Sequence, residues 1–176
     1  MRKIGIFSLN LVLTAIVISG CSQKNANQEQ DDIAAIHELF DNYASCVAKS
    51  DLDGLMTVWE DDGIRSEPGR PSIIGKENIR ARFEELLYSP FNHEIIYLGE
   101  PLLEVSGDIA YSYANATIVS TPREGGEAVR QDVKVLTILR RQPDNSWKTY
   151  IDHVNFHPTW SMDTIPSEIT EENPYY

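Results

Sequence analysis

The sequence predicts an α+β fold in which three N-terminal helices cover one face of a curved, mainly antiparallel sheet. Up to about residue 89, apolar residues recur every three or four positions, which is the period of a helix. Beyond that point, segments rich in Ile, Val, Tyr and Thr are separated by short turns, which favours antiparallel hairpins. A chain of 176 residues is long enough for one such domain with appendages.

The first appendage, residues 1–20, has the order of a secretory signal. Arg2 and Lys3 precede an apolar run that is shorter than the roughly 20 residues a membrane-spanning helix needs. The segment Ile18-Ser19-Gly20-Cys21 then resembles the lipobox of bacterial lipoproteins, in which the cysteine is lipidated and becomes the first mature residue. An ordinary signal peptide and a retained membrane helix are the alternatives.

The lipobox resemblance implies an address in the cell envelope. Several acyl chains on Cys21 would anchor the protein to a membrane. Ser22 differs from the aspartate that the family associates with inner-membrane retention, so we expect an outer-membrane location facing the periplasm where the organism has one. Residues 21–31 are polar and aperiodic and are predicted to be a flexible tether.

Charge and cysteine content exclude some functions. The net charge is −12, and loss of residues 1–20 removes two cations and no anion, giving −14. Such a surface repels phosphate backbones, so we expect no nucleic-acid partner. Cys46 is the only cysteine besides Cys21, and its place in a helical pattern favours a buried apolar role over a nucleophilic one.

The domain proper is predicted to span residues 32–157. Asp31 or Asp32 can cap the first helix. Its apolar face consists of residues three and four apart, namely Ile33, Ile36, Phe40, Tyr43, Ala44 and Val47.

Two further helices follow. One is predicted through residues 51–60, capped by Ser50 or Asp51, with Gly63 just beyond its end. The other begins near Gly75, and its buried face consists of Ile79, Phe83, Leu86 and Leu87.

The strands form the rest of the domain. A short strand is expected near Gly63 to Glu67, and four more are predicted at 93–105, 108–120, 129–141 and 146–157. Residues 158–176 are acidic, contain Pro166 and Pro174, and are expected to be irregular.

Three segments together resemble the nuclear transport factor 2-like superfamily, and within it the SnoaL-like and ketosteroid-isomerase-like domains. They are YASCVAKSDLDGLMTVWEDDG, the start GKENI of the third helix, and PDNSW in the last hairpin. The resemblance implies a cone-shaped sheet around the helices, a pocket at one end, and frequent pairing into homodimers. The superfamily contains both enzymes and binding domains, so the fold does not fix the function.

The resemblance also implies candidate catalytic residues. An ungapped register places Tyr43 where ketosteroid isomerases have a hydrogen-bond donor and Glu67 where they have a base. The strand VKVLTIL lacks the second acid of that site. In the last strand, a period of two puts Trp147, Thr149, Ile151, His153 and Asn155 on one face. Many relatives have a pocket-facing histidine where this chain has His153, so Tyr43, Glu67 and His153 are the catalytic candidates.

Four other residues are candidates for ligand binding: Phe40, Arg65, Trp147 and Asn155. Alternatives stay open for the catalytic candidates. Tyr43 and His153 are also compatible with a purely structural role, as core residues whose polar atoms are hydrogen-bonded. Glu67 lies two residues after Arg65 on a strand, so the two can pair, which would lower the pKa of Glu67 and make it a poor base. The four histidines show no metal-ligand spacing, and we expect neither a metal nor a cofactor.

Three functions therefore compete. The first is an envelope lipoprotein whose pocket binds a small hydrophobic molecule without catalysis. The second is a cofactor-free isomerase, cyclase or dehydratase that moves a proton on a small carbonyl compound. The third is an interaction module that uses the open face of the sheet. Convergence of Tyr43, Glu67 and His153 on one cavity would favour the second function.

Overall fold

The structure is a computed structural model that describes residues 7–156, with side chains from residue 27 onward. It has the predicted α+β architecture: helices followed by an open, curved sheet of seven strands. Residues 1–6 of the predicted signal and the predicted acidic tail, 158–176, lie outside the described residues. No helix within 7–156 combines the length and hydropathy needed to cross a membrane.

The first helix, α1, spans Phe7–Lys49 and is much longer than predicted. Asp32 lies inside it and is no cap, and the predicted tether, residues 21–31, is helical. The physical reason is composition: between Gly20 and Ser50 the chain has neither Gly nor Pro, and its Gln, Glu, Lys and Ala residues favour a helix.

Asp32 instead fastens α1 to the sheet. Its carboxylate is buried and accepts hydrogen bonds from Arg141 Nη2, at 2.7 Å, and from Trp147 Nε1, at 3.2 Å. The Arg141 guanidinium also lies 4.4 Å from the centre of the Trp147 ring. The hydrogen bond from Arg141 lowers the pKa of Asp32, so the carboxylate stays charged in the folded protein.

The second helix, α2, spans Leu52–Thr57, and its predicted cap is confirmed: Asp51 accepts a hydrogen bond from the Gly54 amide at 2.9 Å. The helix ends earlier than predicted, because residues from Trp59 onward pair with a strand of the sheet. Gly63 therefore lies inside that strand instead of marking a helix end. It is buried, and a Cβ there would lie 3.0 Å from the Glu60 carbonyl oxygen.

The third helix, α3, spans Lys76–Leu87, starting after Gly75 as predicted. Three residues of its predicted face, Ile79, Phe83 and Leu87, are fully buried against α1 and the sheet. Each large apolar side chain withdrawn from water in this way contributes roughly 1.5–3 kcal/mol.

The sheet contains seven strands in the order β2-β1-β7-β6-β5-β3, with β4 paired to β5. Their bounds are β1 Trp59–Ser66, β2 Ile73–Ile74, β3 Phe91–Tyr97, β4 Leu102–Ser106, β5 Ile109–Pro122, β6 Val129–Arg141 and β7 Trp147–Phe156. All pairs are antiparallel except β1 with β7, which is parallel.

The predicted strand at 93–105 is in fact two strands, β3 and β4. Gly99 adopts a φ of 78°, and Pro101 follows it, so regular pairing stops between Tyr97 and Leu102. Both strands pair with β5. The break leaves a loop, residues 98–101, at the rim of the sheet.

Candidate functional site

Two neighbouring cavities lie between the helices and the concave face of the sheet. The first cavity has a volume of about 340 Å³ and the second about 290 Å³. Five residues belong to the walls of both: Tyr43, Arg65, Ile95, Ile118 and Val154. The cavities are therefore two compartments of one cone, divided by side chains from α1, β1 and the sheet.

A buried ion cluster, which we call the Arg65 cluster, stands at this division and consists of Tyr43, Arg65, Glu67 and Asp152. Arg65 Nη1 donates to Asp152 Oδ2 at 2.6 Å and to the Tyr43 hydroxyl oxygen at 3.0 Å. Arg65 Nε donates to Glu67 Oε1 at 2.6 Å. The guanidinium also lies over the Phe83 ring, 4.6 Å from its centre.

Strand register brings this cluster together. Arg65 on β1 stands directly beside Asp152 on the parallel strand β7, and Thr137 of β6 stands on the other side of Asp152. Thr137 Oγ1 donates to Asp152 Oδ1 at 3.3 Å. Only 8% of Arg65 is exposed. A charge so deeply buried is tolerated because two carboxylates and a hydroxyl replace the water it has lost.

The two carboxylates of the cluster differ electrostatically. For Glu67, burial acts to raise the pKa, but Arg65 and Arg82 outweigh it, and the pKa lies below its ordinary value. Arg82 Nε donates to Glu67 Oε2 at 3.0 Å, so both oxygens of Glu67 are engaged by arginines. For Asp152, burial dominates and raises the pKa in spite of Arg65. The pairing of Glu67 with Arg65, one of the alternatives drawn from the sequence, is thus the arrangement found.

Tyr43 lines both cavities. It accepts a hydrogen bond from Arg65, so its own proton remains to be donated. Burial raises the pKa of Tyr43 well above its ordinary value, which keeps the hydroxyl protonated. Chemically, Tyr43 is therefore a neutral hydrogen-bond donor inside the cone.

The predicted orientation of His153 and Asn155 is wrong. Both side chains are exposed, and Asp152 and Val154 point inward in their place. The cause is a β-bulge in β7: Thr149 pairs with Leu139 and Ile151 with Ile138, so Tyr150 is an extra residue. One inserted residue turns every following side chain to the opposite face.

The other candidate site residues lie in different parts of the structure. Phe40 lines the first cavity, and Glu67 lines the second. Trp147, predicted to bind ligand, is instead buried away from both cavities and donates to Asp32. The three catalytic candidates do not share one cavity, because Tyr43 and Glu67 line the second and His153 lines neither. Whether any of them acts catalytically stays a prediction.

Asp152 is the site residue that the sequence reasoning missed. The strand VKVLTIL contains no acid, and Asp152 lies opposite Thr137 of that segment on the next strand. The strand WKTYIDHVNF mixes polar and apolar residues, so its alternation gave no signal that Asp152 faces inward. Among the residues that the structure describes, no three His, Cys, Asp or Glu side chains are grouped as metal ligands.

Comparisons with known proteins identify the family. The family model of the SnoaL-like domain matches residues 28–150, and the chain belongs to this family. No curated protein matches the chain.

Solved structures share the fold at low sequence identity. A proposed dehydratase of the nuclear transport factor 2-like family from Streptomyces avermitilis is 19% identical, with a TM-score of 0.67 over 74% of this chain and 99% of that one. A ketosteroid isomerase-like protein from Erwinia carotovora atroseptica is 21% identical, with a TM-score of 0.60 over 70% and 94%. A nuclear transport factor 2-like superfamily protein from Salmonella enterica is 14% identical, with a TM-score of 0.66 over 84% and 98%.

We predict that Arg65→Met destabilises the protein by about 3–5 kcal/mol at neutral pH, because Glu67 loses one of its partners and Asp152 loses the cation that pairs with it. Without Arg65, burial raises the folded-state pKa of Asp152 further above its unfolded value. The loss should therefore shrink at low pH and grow as pH rises through that raised pKa. Chemical denaturation at several pH values measures this.

The matched control is Arg80→Met. Arg80 pairs with Asp53 at 2.6 Å, but this pair is at the surface, where removing it should cost about 0–1 kcal/mol. A loss in Arg65→Met that equals the control, or that does not change with pH, would contradict the assignment of Arg65 as the partner of buried charge.

Proposed function

We propose that this SnoaL-like domain binds a small, mainly hydrophobic molecule in its first cavity. The observation that carries the proposal is the cavity itself: it has a volume of about 340 Å³, and its walls combine aliphatic side chains from the sheet with polar side chains, Tyr43 among them. This volume lies in the range of roughly 300–1,000 Å³ that is usual for small-molecule sites. The apolar wall residues from the sheet are Ile95, Ala114, Ala116, Ile118, Val133, Val135 and Val154.

The polar groups specify one feature of the ligand. The Tyr43 proton is free to be donated, whereas the Arg65 guanidinium is already held by Glu67 and Asp152. A ligand with a single carbonyl or hydroxyl oxygen near Tyr43 would satisfy this donor. Much of the remaining ligand surface would contact the aliphatic side chains of the sheet. Because the carboxylates Asp41, Glu100 and Asp152 also line the cavity, a neutral molecule fits better than an anion.

The structure of the site favours binding without catalysis over a reaction in which Glu67 transfers a proton. A general base needs a pKa near the working pH and an accessible oxygen. Glu67 has a lowered pKa, and both its oxygens accept hydrogen bonds from arginines.

A second candidate function is proton transfer by Asp152, as in a cofactor-free isomerase, cyclase or dehydratase. The observation that favours it is that Asp152 lines the first cavity together with Tyr43, and burial raises its pKa toward the range of a general acid or base. Against it, Arg65 and Thr137 already engage its two oxygens.

We predict that Val135→Trp abolishes binding of a neutral probe, methyl naphthyl ketone, because the indole fills the first cavity. Lys134→Trp is the matched control, since Lys134 is the next residue on β6 and is exposed on the opposite face. Ligand fluorescence measures binding, and deuterium exchange of the methyl protons measures proton transfer.

The two functions give different results in that experiment. Binding without exchange supports the ligand-binding function. Exchange that disappears in Asp152→Asn, with the fold intact, supports the enzyme. Equal binding by the two tryptophan variants, or no binding by the wild type, would refute a site in the first cavity.

We further propose that the domain is carried by a lipoprotein anchored through Cys21 in the cell envelope, on the periplasmic face of the outer membrane where one exists. The order of charged, apolar and small residues before Cys21 supports this. A membrane-anchored binding domain would keep its ligand site close to the lipid surface.

For the anchor, we predict that Cys21→Ser moves the protein from the membrane to the soluble fraction, because the acylated thiol is lost. Mass spectrometry of the membrane-fraction protein should show acyl groups on Cys21 in the wild type. Cys46→Ser is the control and should remain membrane-bound, since Cys46 is buried in the domain. An unmodified wild-type chain in the soluble fraction would disprove the anchor.

We also propose that two copies pair through the convex face of the sheet. Large apolar side chains are exposed there in register: Leu102 of β4 pairs with Tyr113 of β5, which pairs with Leu136 of β6. These three side chains are 54%, 39% and 40% exposed. A contiguous apolar patch of this kind is typical of an interaction surface.

For the pairing, we predict that Leu136→Lys yields a monomer, since it places a charge in the middle of the apolar patch. Val129→Lys is the control: Val129 is an exposed apolar residue at the start of the same strand, outside the patch. Sedimentation equilibrium measures the mass. A wild-type monomer, or dimers of both variants with equal stability, would exclude this interface.

A further inference from the structure

The second cavity differs from the first in the elements that line it. One side is formed by α3 and the segment after β1, through Phe83, Leu86 and Pro68, and the other side by β3, β5 and β6. Its interior is apolar, with Val47 of α1 and Ile118 of β5 among its walls. A hydrocarbon segment can therefore be buried here as well as in the first cavity.

The two cavities differ in the sign of the charged side chains that line them. Among the described residues, the first cavity is lined by three carboxylates, Asp41, Glu100 and Asp152, and by two basic side chains, Arg65 and His37. Within the described part of the chain, the second cavity is lined by three arginines, Arg65, Arg70 and Arg82, and by one carboxylate, Glu67. In a chain whose net charge is −12, this is a local reversal of sign. Clefts with low-dielectric walls focus such a potential on a ligand.

Two of these arginines are placed to bind an anion from solvent. Arg70 is 43% exposed, and its Nε lies 3.8 Å from Glu67, beyond hydrogen-bond distance. Arg82 uses Nε for Glu67, while its Nη1 lies 3.5 Å from Glu85, a residue that is 69% exposed. The outer N–H groups of Arg82 thus have only a weak, solvated competitor. A planar guanidinium edge of this kind suits a carboxylate.

The polar groups on the opposite wall are neutral. His93 lies between two hydroxyls, with its Nδ1 3.0 Å from Ser120 Oγ and its Nε2 3.1 Å from Ser89 Oγ. Burial lowers the pKa of His93, so its ring adds hydrogen-bonding capacity without charge. Recognition of an anion in this cavity therefore depends on Arg70 and Arg82.

We propose that the second cavity is a separate binding site for an amphipathic carboxylate. Its head group binds Arg70 and Arg82 at the mouth, and its apolar body packs against Phe83 and Leu86. This site goes beyond the proposed function, because the first cavity is suited to a neutral ligand and is lined by acids. Occupancy of the second cavity requires no ligand in the first.

The test uses isothermal titration of the full chain with decanoate and with decanol, which has the same apolar chain and no charge. We expect decanoate to bind at least about tenfold more tightly, with an affinity that falls as salt rises. Arg82→Gln and Arg70→Gln should each reduce decanoate affinity by about fivefold or more and leave decanol unchanged. Arg80→Gln, also on α3 but lining neither cavity, should bind both as the wild type does.

Several outcomes overturn the proposal: equal affinities for decanoate and decanol, no decanoate binding, or equal effects of Arg70→Gln and Arg80→Gln. Arg70→Gln is expected to leave the fold intact, because Arg70 is exposed and its contact to Glu67 is long. Val135→Trp, which fills the first cavity, distinguishes binding in the second cavity from binding in the first. If it removes decanoate binding, decanoate binds in the first cavity and the second site is refuted.

Discussion

The buried guanidinium of Arg65 is the interaction on which the interior of the cone depends. It contacts Tyr43 of α1, Asp152 of β7 and Glu67 after β1 through three hydrogen bonds. A cation that is 8% exposed cannot be left unpaired without a cost of several kcal/mol. The positions of the helix, the two parallel strands and the segment after β1 are therefore coupled, and a change in one of them must be accommodated by the others.

The same cluster determines what chemistry the site supports. By pairing with Arg65 and Arg82, Glu67 loses the basicity that a proton-transfer role would need. By holding the Tyr43 oxygen as an acceptor, Arg65 leaves the Tyr43 proton for a ligand. Asp152 is the acid of the cluster whose pKa is raised, because burial outweighs the opposing effect of Arg65. The cluster thus provides a neutral hydrogen-bond donor, Tyr43, that lines both cavities, and its Glu67 carboxylate accepts a hydrogen bond from Arg82 in the wall of the second.

Much of the fold was predictable because it depends on local periodicity. The α3 face, the Asp51 cap and the ranges of β5, β6 and β7 agree with the sequence prediction to within a few residues. Errors arose where the pattern was locally ambiguous. The polar segment without Gly or Pro, predicted to be a tether, is helical. Trp59 and Glu60, predicted to be helical, belong to β1, because β7 offers that strand a partner.

For the site, the sequence by itself determined that Arg65 and Glu67, two residues apart on a strand, can pair, and the resemblance to ketosteroid isomerases made Tyr43 and Glu67 candidates. The tertiary structure decided which of them meet. The bulge at Tyr150 exchanged His153 for Asp152 on the concave face, and no local pattern announces a single inserted residue. The parallel pairing of β1 with β7 then placed Arg65 beside Asp152, 87 residues apart in the chain. Contacts at that separation depend on strand register, which is a property of the whole sheet and not of any one segment.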